Sequence, residues 1–420
     1  MKVLIKNATI IDPFSPFHRS SHDIFIDNGT ITSISPNDTQ RADTVIAEPG
    51  LFVSPGWTDI FANFCDPGFE FRESLETGAR AAAAGGFSSV MVIPNTKPVI
   101  DNKPQVEYIV RKSASLPVSI IPIGAVTKNT EGKELAEMYD MQHSGAVTFS
   151  DGLNSIQSSG ILLKALQYVK KFNGVIIQLP DDKTIAPHGL MNEGIISTRL
   201  GLAGKPIMAE ELVVARDIKL ARYTDSQLHL TGISSPKSLE YIRRAKDGGI
   251  KVTCSVTPHH LFFCDEDLMG YDTNLKVNPP LRTRKDMMAL RAGITDGTID
   301  CIATHHAPFE FDSKTVEFEY AKYGMIGLES CYAALKTAMP EVTEEKWVEL
   351  LAINPAKIFG LSSRTINTNK PASLTMFQPT GKYEFTAKHI RSKSSNSPFI
   401  GKELTGKVVG IISNQHLFLN

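Results

Sequence analysis

The chain has 420 residues, 42% hydrophobic and 21% charged, with 30 Gly and 24 Pro. These proportions exclude disordered, collagen-like and low-complexity chains, which are poorer in apolar residues or far richer in Gly and Pro. Forty-four Lys plus Arg against 45 Asp plus Glu leave a formal charge of −1, so the basic footprint of a nucleic-acid binder or a polybasic membrane-surface protein is missing. Small molecules or other proteins are the expected partners. The start, MKVLIKNATIID, has no apolar signal core, and no window approaches the roughly 18 apolar residues of a membrane span. A cytosolic protein is expected. Cys65, Cys254, Cys264, Cys301 and Cys331 are odd in number and never spaced C-x-x-C, so they read as buried thiols, with neither a disulfide framework nor a zinc knuckle.

Residues 1–50 carry short alternating runs, VLIKNATIID and DIFIDNGTITSIS, with Asn28-Gly29 as a hairpin signal. From about residue 52, apolar strand candidates alternate with stretches of helical period. The strands are predicted at 51–61, 87–94, 119–126, 146–151, 174–179, 227–234, 251–258 and 299–306. RESLETGARAAAAGG, SGILLKALQYVKKF, AEELVVARDIKLARYT and PKSLEYIRRAKDGG are among the helices between them. Eight strand-then-helix units favour a (β/α)8 TIM barrel, with a doubly wound open sheet as the second architecture. After EEKWVELLAINPAKIFGL the chain returns to strands, SLTMFQP and KVVGIISNQHLFL. Residues 1–51 and 362–420 should therefore pair into one small β-sandwich flanking a barrel at 52–361. KKFNG and KHIRSK read as solvated faces.

A barrel of this kind carries its chemistry just after the strands. The phrases SPGWTDIFANFCDPG (54–68), ETGARAAAAGGFSSVMVIPNTKPVID (76–101), MNEGIIS, KPIMAEELVVARDIKLA, VTPHHLFF, YDTNLKVNPPLR, DCIATHHAPF and NPAKIFGL together resemble the dihydroorotases in their long bacterial form, cyclic amidohydrolases of pyrimidine biosynthesis. The resemblance implies an amidohydrolase-type barrel and zinc-dependent ring opening of dihydroorotate. There a metal lowers the pKa of a bound water and polarises the carbonyl.

In that family the first strand ends Asp-x-His-x-His. Here it reads Asp59-Ile60-Phe61-Ala62-Asn63, and Cys65 stands where an Arg would grip the substrate carboxylate. On the fifth strand Leu179 takes the ligand position, on the sixth Gly232 does so, and on the eighth His305 replaces the catalytic Asp and Phe309 a helpful His. A phenyl ring cannot ligate zinc, and a thiol lacks the fork of an arginine. Asp151 alone resembles a family metal-bridging acid. Asn95 and Asn278 match substrate-contacting positions.

These losses lead to the expectation of no catalytic zinc and of a pseudoenzyme. Family members of that kind act as structural partners of aspartate transcarbamoylase, and by resemblance the chain should be a homodimer. Two other readings stay open. One is an active cyclic-amide hydrolase with a relocated metal site, drawing on His259, His260, His305, His306, Asp151, Asp181 and His229. The other is a small-molecule sensor. Against the first, adjacent His residues on a strand point to opposite faces. Cys65 reads as a plain buried thiol, Asn95 as a turn former, and Glu210 and Glu211 as acids at a helix start. Phe61, Phe64, Phe69, Phe71 and Phe309 are expected to plug the emptied barrel mouth.

Overall fold

A computed structural model of the chain describes residues 1–362 and 364–420; Ser363, inside the expected C-terminal stretch 362–420, lies outside them. The eight barrel strands are β1 (Trp57–Ala62), β2 (Phe87–Val92), β3 (Ser119–Gly124), β4 (Thr148–Phe149), β5 (Val175–Gln178), β6 (Gln227–Leu230), β7 (Val252–Val256) and β8 (Cys301–Ile302). They pair in that order, all parallel. Closure at the seam comes from a bridge between Ala62 and His306 and from Asp59, whose carboxylate accepts from Thr304 N at 2.8 Å and Thr304 Oγ1 at 2.6 Å. The (β/α)8 expectation holds and the open sheet does not.

Local sequence explains the crossovers. Ser74, Asn102, Ser158, Ser235 and Thr283 each cap a helix N-terminus by accepting from a backbone N–H within the first turn. Ile60, Met91, Ile93, Ile123, Val175, Ile177 and Ala303 fill the barrel interior, so it is a packed core with no pore, and open space is left to the strand ends.

Both termini build one nine-stranded sheet, in which Lys2–Ile10, Ser21–Asp27 and Thr30–Ser35 lie beside Leu374–Glu384, Glu403–Ser413 and His416–Leu419. Asn28 and Gly29 both have positive φ and close the expected hairpin. The single strand expected at 51–61 is divided. Phe52–Pro55 pairs in this sheet with Lys2–Ile10 and Leu374–Glu384, and the chain enters the barrel only at Trp57. Gly56 allows the passage, because a Cβ there would lie 2.1 Å from Ser88 Oγ. Among the described residues no helix is long and apolar enough to cross a membrane, and all five cysteines are buried free thiols.

Candidate active site

The loop after β1 turns on Asn63, whose Oδ1 accepts from Cys65 N at 2.9 Å; the turn sets Cys65 at φ 59°. Burial pushes the Cys65 thiol up to about 12, so it supplies no nucleophile at neutral pH. Phe61 is buried, with its ring centroid 4.6 Å from that of His305. Phe64 faces away from this pair, against Gly78 of the helix Leu75–Ala84 and the His306 ring. Phe69, Phe71 and Phe309 surround the Arg72 guanidinium at 5.2, 5.1 and 4.9 Å, which pairs with Glu310 at 2.8 Å.

The expected aromatic plug is therefore not what the five Phe residues form. Three of them hold a cation at the rim, and a cavity of about 530 Å³ remains open at the strand ends.

Phe61, Leu179, Gly232 and His305 do converge. A Cβ on Gly232, which has φ 68°, would lie 2.7 Å from His305 Cε1 and 3.0 Å from Leu179 Cδ1. The imidazole of His305 occupies the space that a side chain at 232 would need. Its Nε2 bonds Thr231 Oγ1 at 2.8 Å, and its φ of 48° is a strained value for a residue with a side chain.

The candidates for a rearranged metal set are scattered. His229 lies inside the barrel between Thr253 Oγ1 at 2.9 Å and Ser255 Oγ at 3.0 Å. His259 and His260 sit on the short helix Pro258–Phe262 instead of on a strand, and His260 is spent on Thr257 Oγ1 and the Pro279 carbonyl. His306 meets Glu73 at 3.4 Å. Asp151 accepts from Val126 N, Thr127 N and Thr127 Oγ1, and burial raises its carboxyl to about 6. Among the described residues no group of three or more His, Cys, Asp or Glu is placed to hold a metal ion. At the positions that the resemblance assigns to zinc, Phe61, Leu179 and Gly232 offer no donor atom, the Asn63 amide oxygen accepts from Cys65 N and the Asp151 carboxylate accepts from Val126 and Thr127, so the donor set does not fit that ion.

The two asparagines part company. Asn95 donates to the Asp151 carbonyl at 3.1 Å and accepts from Leu153 N at 2.9 Å, which staples the loop after β4. Asn278 lines the cavity, where its Oδ1 accepts from Lys205 Nζ at 3.1 Å and its Nδ2 reaches Asp181 at 3.4 Å. Lys205 also pairs with Asp181 at 2.7 Å, both side chains mostly buried.

Lys205, Lys183 and Lys322 at this cavity were missed from sequence. The only signal was that Lys205 opens the KPIMAEELVVARD phrase. Glu210 is no ordinary helix-start acid: buried with 2% exposure, it accepts from Ser234 N and Ser235 N at 3.1 and 3.0 Å, and so fixes the loop after β6. Burial drives His305 down to about 3 and His259 well below its ordinary value, so both rings at the cavity are neutral.

Comparison with known proteins adds the following. A family model described as dihydro-orotase-like matches residues 50–238. A dihydroorotase of Geotalea daltonii is 41% identical over 97% of this chain and 96% of its own length, and one of Pelotomaculum thermopropionicum is also 41% identical, with the same two coverages. Among solved structures, the L-hydantoinase (dihydropyrimidinase) from Arthrobacter aurescens superposes with a TM-score of 0.87 at 22% identity, covering 100% of this chain and 96% of its own. The D-hydantoinase (dihydropyrimidinase) from Thermus sp. gives 0.82 at 21%, covering 100% and 95%. At that identity the likeness establishes the fold. The relatives overturn the expectation of a catalytically silent partner protein: full-length homologues at about 41% identity are named dihydroorotase, and loss of the expected ligand types did not weigh that kinship.

Proposed function

Because the chain belongs to the dihydroorotase family, we propose that it is a cyclic-amide hydrolase that opens dihydroorotate with water to carbamoyl aspartate, a reaction of pyrimidine biosynthesis, in the cytosol. The observation that carries the reading is the 41% identity to dihydroorotases along 97% of the chain; the cavity at the barrel mouth supplies the place. Lys183, Lys205 and Lys322 line that cavity with a single carboxylate, Asp181, so its field favours an anionic ligand. Lys205 and Asn278 take the substrate carboxylate, the work for which Cys65 is unsuited. The Asp181 carboxylate accepts a proton from water as the water oxygen attacks the ring carbonyl carbon. It returns that proton to the ring nitrogen as the C–N bond breaks. Phe309 and Tyr323 give the same cavity an aromatic wall. No step runs through a metal, since the donor set does not fit one.

The test is dihydroorotate hydrolysis by the purified full chain, with and without chelator. Turnover that survives chelation and falls about 100-fold in Asp181→Asn is expected. No turnover in either condition, or with added zinc, overturns the proposal.

A further inference from the structure

Four hydrogen bonds run in series from the cavity into the barrel. Their members are His305, Thr231, Ser255, His229 and Thr253, with separations of 2.8 Å (His305 Nε2 to Thr231 Oγ1), 2.9 Å (Thr231 Oγ1 to Ser255 Oγ), 3.0 Å (Ser255 Oγ to His229 Nε2) and 2.9 Å (His229 Nδ1 to Thr253 Oγ1). Thr231, Ser255 and His229 are fully buried, so water does not compete for these bonds. The polarity of the series follows from one member. Ser255 donates its only hydroxyl hydrogen to Thr231, and its oxygen must then accept from His229 Nε2–H. A neutral imidazole carries one N–H, so His229 Nδ1 accepts from Thr253. At the other end Thr231 has its own hydrogen left, and His305 Nε2 is the acceptor it meets. The remaining proton of His305 is on Nδ1, which has no hydrogen-bond partner among the described residues, on a ring that lines the cavity.

We propose that His305, held in its Nδ1–H tautomer by the Thr231–Ser255–His229–Thr253 series, is the hydrogen-bond donor to the scissile carbonyl oxygen of the bound cyclic amide. The inference rests on the reaction proposed above and names its electrophilic group. A neutral imidazole held in place by this series is a fixed donor toward the oxygen on which negative charge develops, and it requires no reorganisation as that charge forms. The local structure is arranged for this ring alone. Gly232 vacates the space the imidazole fills, Phe61 packs on it at 4.6 Å, and the backbone at 305 is held at positive φ. Thr231 acts through His305 and is a positioning residue.

The experiment is a long-range ¹H–¹⁵N correlation spectrum of the full chain labelled on its histidine rings, at pH 7, combined with steady-state hydrolysis of dihydroorotate. His305 should show the protonated nitrogen at Nδ1. Thr231→Val removes the donor to Nε2; it should abolish that signature and lower kcat about 100-fold with KM little changed, and Thr231→Ser should restore both. Protonation at Nε2 in the parent chain, or a Thr231→Val chain whose tautomer or kcat is unchanged, overturns the assignment. A His305 with the Nδ1–H signature in a chain that never turns over dihydroorotate overturns the proposed reaction and, with it, the donor role. The tautomer reads the hydrogen-bonded series independently of activity.

Discussion

Gly232 shows how much one missing side chain decides. With φ 68° and His305 Cε1 2.7 Å from any Cβ, Gly232→Ala adds backbone strain to a steric clash in a buried loop. We expect a loss of about 3 kcal/mol, read from urea unfolding, together with displacement of the His305 ring. A change below about 0.5 kcal/mol would show that the loop has room and that the imidazole is not packed as described. The residue types here were legible: Phe61, Leu179, Gly232 and His305 could be picked from their places after the strands. What they touch was not, because Thr231 and His305 are 74 residues apart and nothing in either local segment reports the other. Lys205 escaped notice for a related reason: its carboxylate partner Asp181 lies 24 residues earlier in the same long connection from β5 to β6, with no local period or turn signal joining the two.

At the scale of elements, the segment after Leu374–Glu384 behaves differently from its composition. KHIRSK was read as a solvated face, and Lys388, Arg391 and Lys393 are indeed exposed, yet Ser394, Asn396 and Ser397 just beyond are buried. Asn396 donates to the Ala307 carbonyl at 3.0 Å and the Gly324 carbonyl at 3.2 Å, and accepts from Phe309 N at 3.0 Å. Glu73 accepts from Lys393 N at 3.1 Å and from the Ser392 hydroxyl. The segment is thus a strap from the terminal sheet across the loop after β8. Asn396→Ala leaves these three backbone groups without side-chain partners and should cost about 3 kcal/mol. Amide hydrogen exchange should rise at 307–309 and 390–399. Exchange confined to the site of substitution would mean that Glu73 and Glu329, which accepts from Arg391 N and Ser392 N at 3.1 and 2.9 Å, hold the strap without Asn396. A polar run gives no periodicity to read, so its burial was invisible until the barrel it crosses was in place.

For the whole molecule, the buried imidazoles couple folding to pH. Burial drives His229 from 6.5 down to about 3, so between those values the unfolded chain binds a proton that the native chain does not. The stability tied to a neutral His229 is complete above about pH 6.5 and is lost as pH falls toward 3. Glutamine has no such dependence, so the stability deficit of His229→Gln at pH 7 should shrink by about 2 kcal/mol at pH 5, measured by urea unfolding of both chains at each pH. A deficit that stays constant would show His229 to titrate alike in both states. By itself the sequence determined the alternation of eight strands and their helices, the Asn28–Gly29 hairpin and the residue types at each strand end, because period and turn chemistry are local properties. Only the tertiary structure decided that Phe52–Pro55 leaves the barrel for the terminal sheet, that Lys205 meets Asp181, and that His305 hangs on Thr231. Each of these depends on which distant groups the closed sheet brings within hydrogen-bonding reach.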